Sequence, residues 1–208
     1  MLAFAIAVIG SYLLGSIPFG YLAGRIAGID IRNHGSGNVG ATNVIRTLGK
    51  GYGYPVFVAD FLKGLGAVKM SMLIATRVRP EWSSSEMFGI LAAISSVLGH
   101  CFPVWLHFKG GKGVATSAGA LFGLAPVAAV VGAAVWILTF AVTRYVSVAS
   151  VAAAAALPLI ILIMTWLRQT AGKSLFYSSV CLAAVVIWRH RSNLSRLVRG
   201  TEPRFTRK

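Results

Sequence analysis

The sequence predicts an all-α protein that crosses a lipid bilayer several times as a polytopic membrane helix bundle. Hydrophobic residues make up 56% of its 208 positions, and the mean hydropathy is +0.74. They fall in blocks of about 17–25 residues, the length that a helix needs to cross the hydrocarbon core. Since one bundle accounts for the whole chain, we expect a single domain over 1–208, with a basic tail at 189–208.

The first apolar block, 2–23, is predicted to be a membrane span. No basic residue precedes it, which argues against a cleaved signal peptide. Pro18 lies inside the block, and we expect a kink there because proline removes a helix hydrogen bond. The next segment, 24–53, has four basic residues and one acid, Asp30. The positive-inside rule therefore places this segment in the cytoplasm and the N-terminus outside.

The block at 114–143 is too long for one span. It would form a helix of about 45 Å, whereas the hydrocarbon core is about 30 Å thick. Because Lys109, Lys112 and Arg144 flank it and are all expected on the cytoplasmic side, the block must go out and return as two helices. Break points are offered by Gly119, Gly123 and Pro126. The other spans are predicted at 54–76, 86–106, 146–166 and 175–188, with external turns at 77–85 and around Arg168 and Lys173. About seven spans and a cytoplasmic C-terminus result.

The charge balance is strongly basic, with 20 Lys and Arg against 5 Asp and Glu and a net charge of +15. Much of this charge flanks the spans, so membrane anchoring and attraction to anionic lipids or phosphates explain it, and we expect no nucleic-acid partner. No two acids form a close polar pair, which argues against a glycosidase or a carboxylate-rich metal site. Cys101 and Cys181 lie in apolar sequence without zinc spacing. We expect neither a metal nor a cofactor.

Two polar loops have the composition of phosphate-binding segments. The first runs from Gly35 to Arg46, and the second is centred on Gly110 to Gly113. Glycines let successive backbone N–H groups converge on an anion, and basic side chains add charge. The first loop is not a Walker A or dinucleotide-binding motif, because it lacks both a preceding strand and a terminal Lys-Ser or Lys-Thr. A flexible connection is the alternative interpretation of that loop.

Three ordered motifs resemble the signatures of one bacterial enzyme family. They are Gly35-Ser36-Gly37-Asn38 with Gly40-Ala41-Thr42-Asn43 and Arg46; Gly99-His100, Phe102-Pro103 and Phe108 to Thr116; and Arg189-His190, Asn193, Arg196-Leu197 and Gly200. Together they resemble the acyl-phosphate:glycerol-3-phosphate acyltransferases of the PlsY type over essentially the whole chain. That resemblance implies transfer of a fatty acyl group from acyl phosphate to the 1-hydroxyl of glycerol 3-phosphate. The products would be lysophosphatidate and phosphate, formed at the cytoplasmic face of the bacterial inner membrane in the first acylation step of phospholipid synthesis.

The resemblance also implies site residues. A catalytic role is expected for Ser36, Asn38, Arg46, Lys109, Lys112, His190 and Asn193. Substrate or phosphate binding is expected for Gly35, Gly37, Gly40, Thr42, Asn43, Gly110, Gly111 and Gly113. Outside the family motifs, the same role is expected for Ser147, Lys63 and Asp60 from their places in the sequence. Asp60 and Lys63 are spaced i, i+3, and a structural ion pair is the alternative to substrate binding. For Ser147 the alternative is a helix–helix hydrogen bond. For His100, a substrate contact and a capping or packing role are both open.

The proton acceptor stays open between two groups. His190 titrates near neutrality in its unperturbed state, but Arg189 and Arg191 beside it disfavour added positive charge. A phosphate oxygen of the substrate is the alternative acceptor, and we favour it because acyl phosphate is already activated. An acyl-enzyme at Ser36 is the less favoured route. The expected partners are acyl phosphate, glycerol 3-phosphate and the lipid bilayer, with the protein a monomer.

Two other functions were weighed. Broken helices and small-residue packing also occur in transporters, so a membrane transporter of an organic phosphate is the alternative function. The absence of an internal repeat and the clustering of polar residues at one face argue against it. A CDP-alcohol phosphatidyltransferase needs several aspartates for metal, and this chain has only Asp30 and Asp60.

Overall fold

The computed structural model describes residues 1–78, 84–167 and 172–205, and these residues form helices without any strand, as predicted. The α-helices are α1 (Leu2–Ser16), α2 (Phe19–Ile26), α3 (Ala41–Leu48), α4 (Lys50–Val78), α5 (Ser85–Cys101), α6 (Val114–Leu124), α7 (Pro126–Thr143), α8 (Val146–Trp166), α9 (Gly172–Arg189) and α10 (Arg191–Val198). Short 3-10 helices lie at Ile31–Asn33 and Val104–Leu106. Most of the predicted external turn at 77–85, Arg168 of the other turn and the last three tail residues lie outside the described residues.

Two predicted helix breaks are confirmed, and both occur at proline. Helix α1 ends at Ser16 and α2 begins at Phe19, so the first apolar block breaks around Pro18. Helix α6 ends at Leu124 and α7 begins at Pro126. Proline is favoured in the first turn of a helix because its missing N–H has no partner there. Of the predicted break points in 114–143, only the proline is used, and the two glycines lie within α6.

Within the described parts of the chain, four segments are long and apolar enough to cross a membrane: Leu2–Ile26, Ser85–Leu106, Pro126–Thr143 and Val146–Trp166. Helix α4 is long but carries Asp60, Lys63 and Lys69 within it. The structure therefore supports a multi-pass membrane protein. The count of seven spans and the orientation of the termini stay predictions.

The chain divides into two compact units, Met1–Leu124 and Ala125–Lys208. In the first unit, glycines bring helices into backbone contact. A side chain at Gly64 of α4 would overlap the backbone of Thr116 in α6, and one at Gly119 of α6 would overlap the backbone of Phe61 in α4. Small residues allow such close approach between membrane helices.

The second unit is built around α8, which packs against α7, α9 and α10. Gly200 takes a positive φ of 71° just after α10, the conformation in which a glycine commonly ends a helix. The chain then returns toward the start of α8, where the Phe205 N–H donates to the Arg144 carbonyl at 2.9 Å. Whether the two units act as a single catalytic domain stays a prediction.

Candidate active site

The first glycine loop precedes α3 and presents its tip to the outside of the first unit. Gly35 and Gly37 take positive φ values of 58° and 69°, which is why the loop needs glycine at these positions. Ser36 between them is exposed, as is Arg46 on α3, while Thr42 is half-buried. The Oδ1 atom of Asn38 accepts a hydrogen bond from the Gly40 N–H at 2.9 Å. The hydroxyl of Ser36 and the guanidinium of Arg46 are thus the accessible polar groups of the loop.

Asn43 holds this loop in place. It is 2% exposed, and its Oδ1 accepts a hydrogen bond from the Ser36 N–H at 2.8 Å. Its Nδ2 donates to the His34 carbonyl at 3.0 Å and lies 3.4 Å from the Ile31 carbonyl. Both ends of the amide are therefore occupied by backbone groups. The expected phosphate contact of Asn43 stays a prediction, and these bonds favour a scaffold role in its place.

A surface ion pair fixes the turn before the loop. Asp30 accepts hydrogen bonds from the Arg32 backbone N–H at 3.0 Å and from its guanidinium at 2.6 Å. These bonds, with the side-chain bond the largest effect, lower the pKa of Asp30 to about 2. The Asp30 carboxylate therefore stays ionised at any pH near neutrality.

The second glycine loop is attached to the C-terminal end of α5 by backbone hydrogen bonds. The Gly111 N–H donates to the His100 carbonyl and the Gly110 N–H to the Cys101 carbonyl, both at 3.1 Å. His107 and Phe108 take left-handed φ values of 52° and 61° as the chain enters the loop. The glycines of the loop are buried against α5 and the segment that follows it.

The lysines of this loop reach further out than its glycines. Lys109 is exposed and Lys112 is half-buried. Two residues after Lys112 the chain enters α6, whose first N–H groups point toward the loop as in any helix. Two cationic side chains before a helix N-terminus form an arrangement that attracts anions. Thr116 and Ser117, in the first turns of α6, have buried hydroxyl oxygens without a hydrogen-bond partner among the described residues.

A buried ionic network lies between α4 and α5. Lys63 Nζ is 2.8 Å from Asp60 Oδ1, and His100 Nδ1 is 3.4 Å from the same oxygen. Asp60, Lys63 and His100 are 2%, 4% and 7% exposed. The predicted pairing of Asp60 with Lys63 is confirmed, and their burial favours the structural alternative over direct substrate binding, which stays a prediction.

A small cleft opens beside the network. It is lined by Ser16, Phe19, Asp60, Lys63, His100 and Pro103, among others. Lys63 Nζ also donates to the Ile17 carbonyl at 2.8 Å, at the break between α1 and α2. The polar end of the cleft is therefore built at a point where a helix is interrupted and a backbone carbonyl is available.

In the second unit, Glu202 joins Ser147, which is 55 positions away, to two side chains of α10. Its Oε1 accepts hydrogen bonds from Ser147 Oγ at 2.8 Å and from Asn193 Nδ2 at 2.7 Å. Its Oε2 accepts one from Arg196 Nε at 2.9 Å. Burial alone would raise the pKa of Glu202, but the bonds from Asn193, Ser147 and Arg196 outweigh it and lower that pKa below its ordinary value. The carboxylate is therefore ionised and fixes both predicted site residues.

His190 is buried at the start of α10. Its Nδ1 lies 2.8 Å from the Val186 carbonyl. Because a carbonyl only accepts hydrogen bonds, a neutral His190 carries its proton on Nδ1 and its lone pair on Nε2. Arg189 and Arg191 place their guanidinium groups 5.9 Å and 4.3 Å from the Trp188 ring centroid. Stacking on this tryptophan keeps both guanidinium groups on the α9–α10 junction.

Within each unit the structure brings predicted site residues together, but it also adds two that the sequence analysis did not assign to the site. Glu202 bonds Ser147 and Asn193, and its only sequence signal is that it is the single acid in a tail with seven basic residues. His100 is the second, since the sequence left its role open between a substrate contact and a capping or packing role. Its place next to the Gly-Gly pair of the loop could not be derived from spacing alone.

Known proteins match this chain along nearly its whole length. The sequence model of the family described as glycerol-3-phosphate acyltransferase matches residues 5–200. A protein named glycerol-3-phosphate acyltransferase from Trichlorobacter lovleyi is 46% identical over 95% of each chain. One of the same name from Synechococcus elongatus is 48% identical over 97% of this chain and 93% of its own.

Solved structures agree with the sequence matches. A crystal structure of PlsY, described as an integral membrane glycerol 3-phosphate acyltransferase in its glycerol 3-phosphate form, matches with a TM-score of 0.84 and 41% identity over 98% of this chain and 96% of that one. A second structure of PlsY, in its lysophosphatidic acid form, matches with a TM-score of 0.81 and 40% identity over 98% and 95% of the two chains. This chain belongs to the glycerol-3-phosphate acyltransferase family.

Proposed function

We propose that this protein transfers a fatty acyl group from acyl phosphate to the 1-hydroxyl of glycerol 3-phosphate, giving lysophosphatidate and inorganic phosphate. The observation that carries this function is the second glycine loop, which places Lys109 and Lys112 directly before the N-terminus of α6. Both substrates carry phosphate, and a cationic loop before a helix N-terminus attracts phosphate. Family membership supports the same reaction.

The reaction is an acyl transfer between two oxygens. The hydroxyl oxygen at carbon 1 attacks the acyl carbonyl carbon, a new ester C–O bond forms, and the C–O bond to the phosphate breaks with its electrons leaving on phosphate. Lys109, Lys112 and Arg46 would stabilise the negative charge that develops on the carbonyl oxygen and the departing phosphate. Ser36 and Asn38 of the first loop would hold a substrate phosphate.

The hydroxyl proton has two candidate acceptors. One is a phosphate oxygen of the substrate, which we favour because the mixed anhydride is already activated. The other is His190, whose Nδ1 faces the Val186 carbonyl and whose Nε2 therefore carries the lone pair in the neutral ring. Under the first mechanism, His190 and Asn193 orient glycerol 3-phosphate, and Ser147 acts with them through Glu202.

We also propose that the protein is a monomer in the bacterial inner membrane, with its polar loops at the cytoplasmic face. The basic residues of 24–53 and of the tail support this orientation, because positively charged loops are retained in the cytoplasm.

An acyl-transfer assay on purified protein tests the reaction. Palmitoyl phosphate, palmitoyl-CoA and a palmitoyl thioester of acyl carrier protein are offered in turn with labelled glycerol 3-phosphate. We expect labelled lysophosphatidate with palmitoyl phosphate alone. Turnover with a thioester donor in place of the acyl phosphate, or no transfer by a folded sample, would overturn the proposal. In the second case, uptake of labelled glycerol 3-phosphate into proteoliposomes would identify a transporter.

A further inference from the structure

The Asp60, Lys63 and His100 network is chemically costly at its position. Taking charges out of water costs several kcal/mol per ion, and apolar side chains of similar volume often stabilise a protein as well or better. Asp60 and Lys63 are almost completely buried, yet they are charged groups in contact. A structural need for helix packing alone does not require such a pair. The contacts between the network and the neighbouring segments of the chain indicate its role.

The imidazole of His100 lies between Asp60 and the second glycine loop. Its Nδ1 is 3.4 Å from Asp60 Oδ1. Its opposite edge, with Nε2 and Cε1, lies so close to Gly111 that a Cβ atom at this glycine would overlap the ring. The ring therefore fills the space between the Asp60 carboxylate and the loop. The carboxylate fixes one edge of the ring, and the other edge fixes the position of Gly111.

The backbone of His100 contacts the same loop residue. The His100 carbonyl accepts the hydrogen bond from the Gly111 N–H at 3.1 Å, and a Cβ atom at Gly110 would overlap this carbonyl and the Pro103 ring. Both the ring and the backbone of His100 thus bear on the Gly110–Gly111 pair. A shift of the imidazole toward the loop would bring it into collision with Gly111.

Lys63 holds Asp60 in the orientation that this contact needs. Its Nζ contacts Asp60 Oδ1 at 2.8 Å and donates to the Ile17 carbonyl at 2.8 Å. That carbonyl belongs to the break between α1 and α2. The network therefore connects the α1–α2 break, α4 and the end of α5 to the loop, all within the first unit.

We propose that Asp60 and His100 are positioning residues, which hold the Gly110–Gly111 pair so that the loop is preformed for a substrate phosphate. Lys63 holds the Asp60 carboxylate in place through their contact at 2.8 Å. The proposal rests on the proposed function of this loop in binding a phosphate-bearing substrate. It assigns Asp60 and Lys63 a role behind the loop, without contact to substrate.

The test removes both charges at once. Asp60→Asn alone would leave the Lys63 ammonium buried without a countercharge, and such a change is strongly destabilising. The double variant Asp60→Asn/Lys63→Met keeps similar volumes and leaves no buried charge. Glu86→Gln is the matched control, since it makes the same carboxyl-to-amide change in the first turn of α5, outside the network.

Steady-state kinetics give the first readout. We expect the double variant to keep a Tm within a few degrees of wild type and to raise KM for glycerol 3-phosphate or palmitoyl phosphate at least about tenfold, with kcat changed less than about threefold. A loop that is no longer preformed loses ground-state binding first. Gly111→Ala, which pushes against the imidazole from the other side, should raise the same KM. Wild-type KM values in a folded double variant would overturn the proposal.

A spin label gives a readout that does not depend on turnover. Phe108 is exposed at the entrance of the loop, and Cys181 is an exposed thiol while Cys101 is fully buried. A label on Phe108→Cys in a Cys181→Ser background should become more mobile in the double variant and not in Glu86→Gln. An unchanged spectrum would overturn the positioning role. If the wild-type protein transfers no acyl group but the label is still more mobile in the double variant, the proposed function fails while the positioning role stands.

Discussion

Glu202 Oε1 accepts a hydrogen bond from Ser147 Oγ at 2.8 Å, although the two residues are 55 positions apart. The same oxygen accepts a bond from Asn193 Nδ2, and Arg196 pairs with the other oxygen. One carboxylate near the end of the chain thus sets the side-chain orientation at the starts of α8 and α10. The tail is therefore part of the framework that holds these predicted site residues in the second unit.

Replacing Glu202 with Gln should weaken this framework. The amide carries no negative charge to pair with the Arg196 guanidinium. Its NH₂ group would also face one of the hydrogen-bond donors that now donate to the carboxylate. Because charge-assisted hydrogen bonds contribute about 1.5–3 kcal/mol each, we expect Tm to fall by about 5–10 °C, with a loss of activity. Circular dichroism or fluorescence melts in detergent measure the change. Arg196→Gln, whose side chain is partly exposed, should lower Tm less.

The same carboxylate predicts a pH dependence of stability. Its pKa is held below the ordinary value of 4.5. A group with a lowered folded-state pKa stabilises fully above its unfolded-state pKa, and the contribution is lost as pH falls through the folded-state value. We expect the difference in Tm between wild type and Glu202→Gln to be constant above about pH 5 and to shrink below it. A difference that grows on acidification would contradict the assignment.

Asn43→Ala should loosen the first glycine loop. The change leaves the Ser36 N–H and the His34 carbonyl without the side-chain partner they have now. A hydrogen bond contributes about 0.5–1.5 kcal/mol, so the loss of these bonds should lower Tm and reduce transfer activity. For the Tm measurement alone, Thr42→Ala at the neighbouring half-buried position is the control for the loss of a polar side chain from α3. Equal Tm values for Asn43→Ala and wild type would contradict the scaffold role.

Lys112→Ala should abolish acyl transfer while the protein stays folded. Its ammonium is placed before the N-terminus of α6, where it is expected to neutralise a substrate phosphate. Removal of such a group costs about 10²–10³ in rate or more. Lys69→Ala, in α4, removes a lysine that no site assignment includes. Turnover near the wild-type rate in Lys112→Ala would contradict a role for this loop in the reaction.

His190→Gln distinguishes the two proton acceptors. If a substrate phosphate accepts the proton, we expect kcat to fall less than about tenfold while KM for glycerol 3-phosphate rises. General-base catalysis contributes about 10²–10⁴ in rate. A loss of that size, together with loss of the pH dependence of kcat, would instead assign the base to His190.

Reporter fusions test the predicted topology. A reporter fused after Lys208 should give a cytoplasmic signal, because the tail has seven basic residues and one acid. A reporter inserted at Glu81, in the predicted external turn, should give an external signal. Two signals on the same side would contradict the alternation of spans on which the seven-span prediction depends.

Several features of the fold followed from the sequence because they depend on local properties. The length of the apolar blocks gave the helical membrane class, since a helix must satisfy its own backbone in lipid. The restraint that proline imposes on its own φ and on the preceding residue placed the breaks at Pro18 and Pro126. The i, i+3 spacing gave the Asp60–Lys63 pair.

The sequence by itself determined the class of protein, its two glycine loops and its motif order, through periodicity, composition and local backbone preference. Only the tertiary structure decided that Asn43 holds the first loop, that the His100 ring packs against Gly111, and that Glu202 accepts a hydrogen bond from Ser147. Each of these contacts joins separate segments of the chain. Such contacts depend on how helices pack. The distance between two side chains after packing cannot be predicted from their separation in sequence.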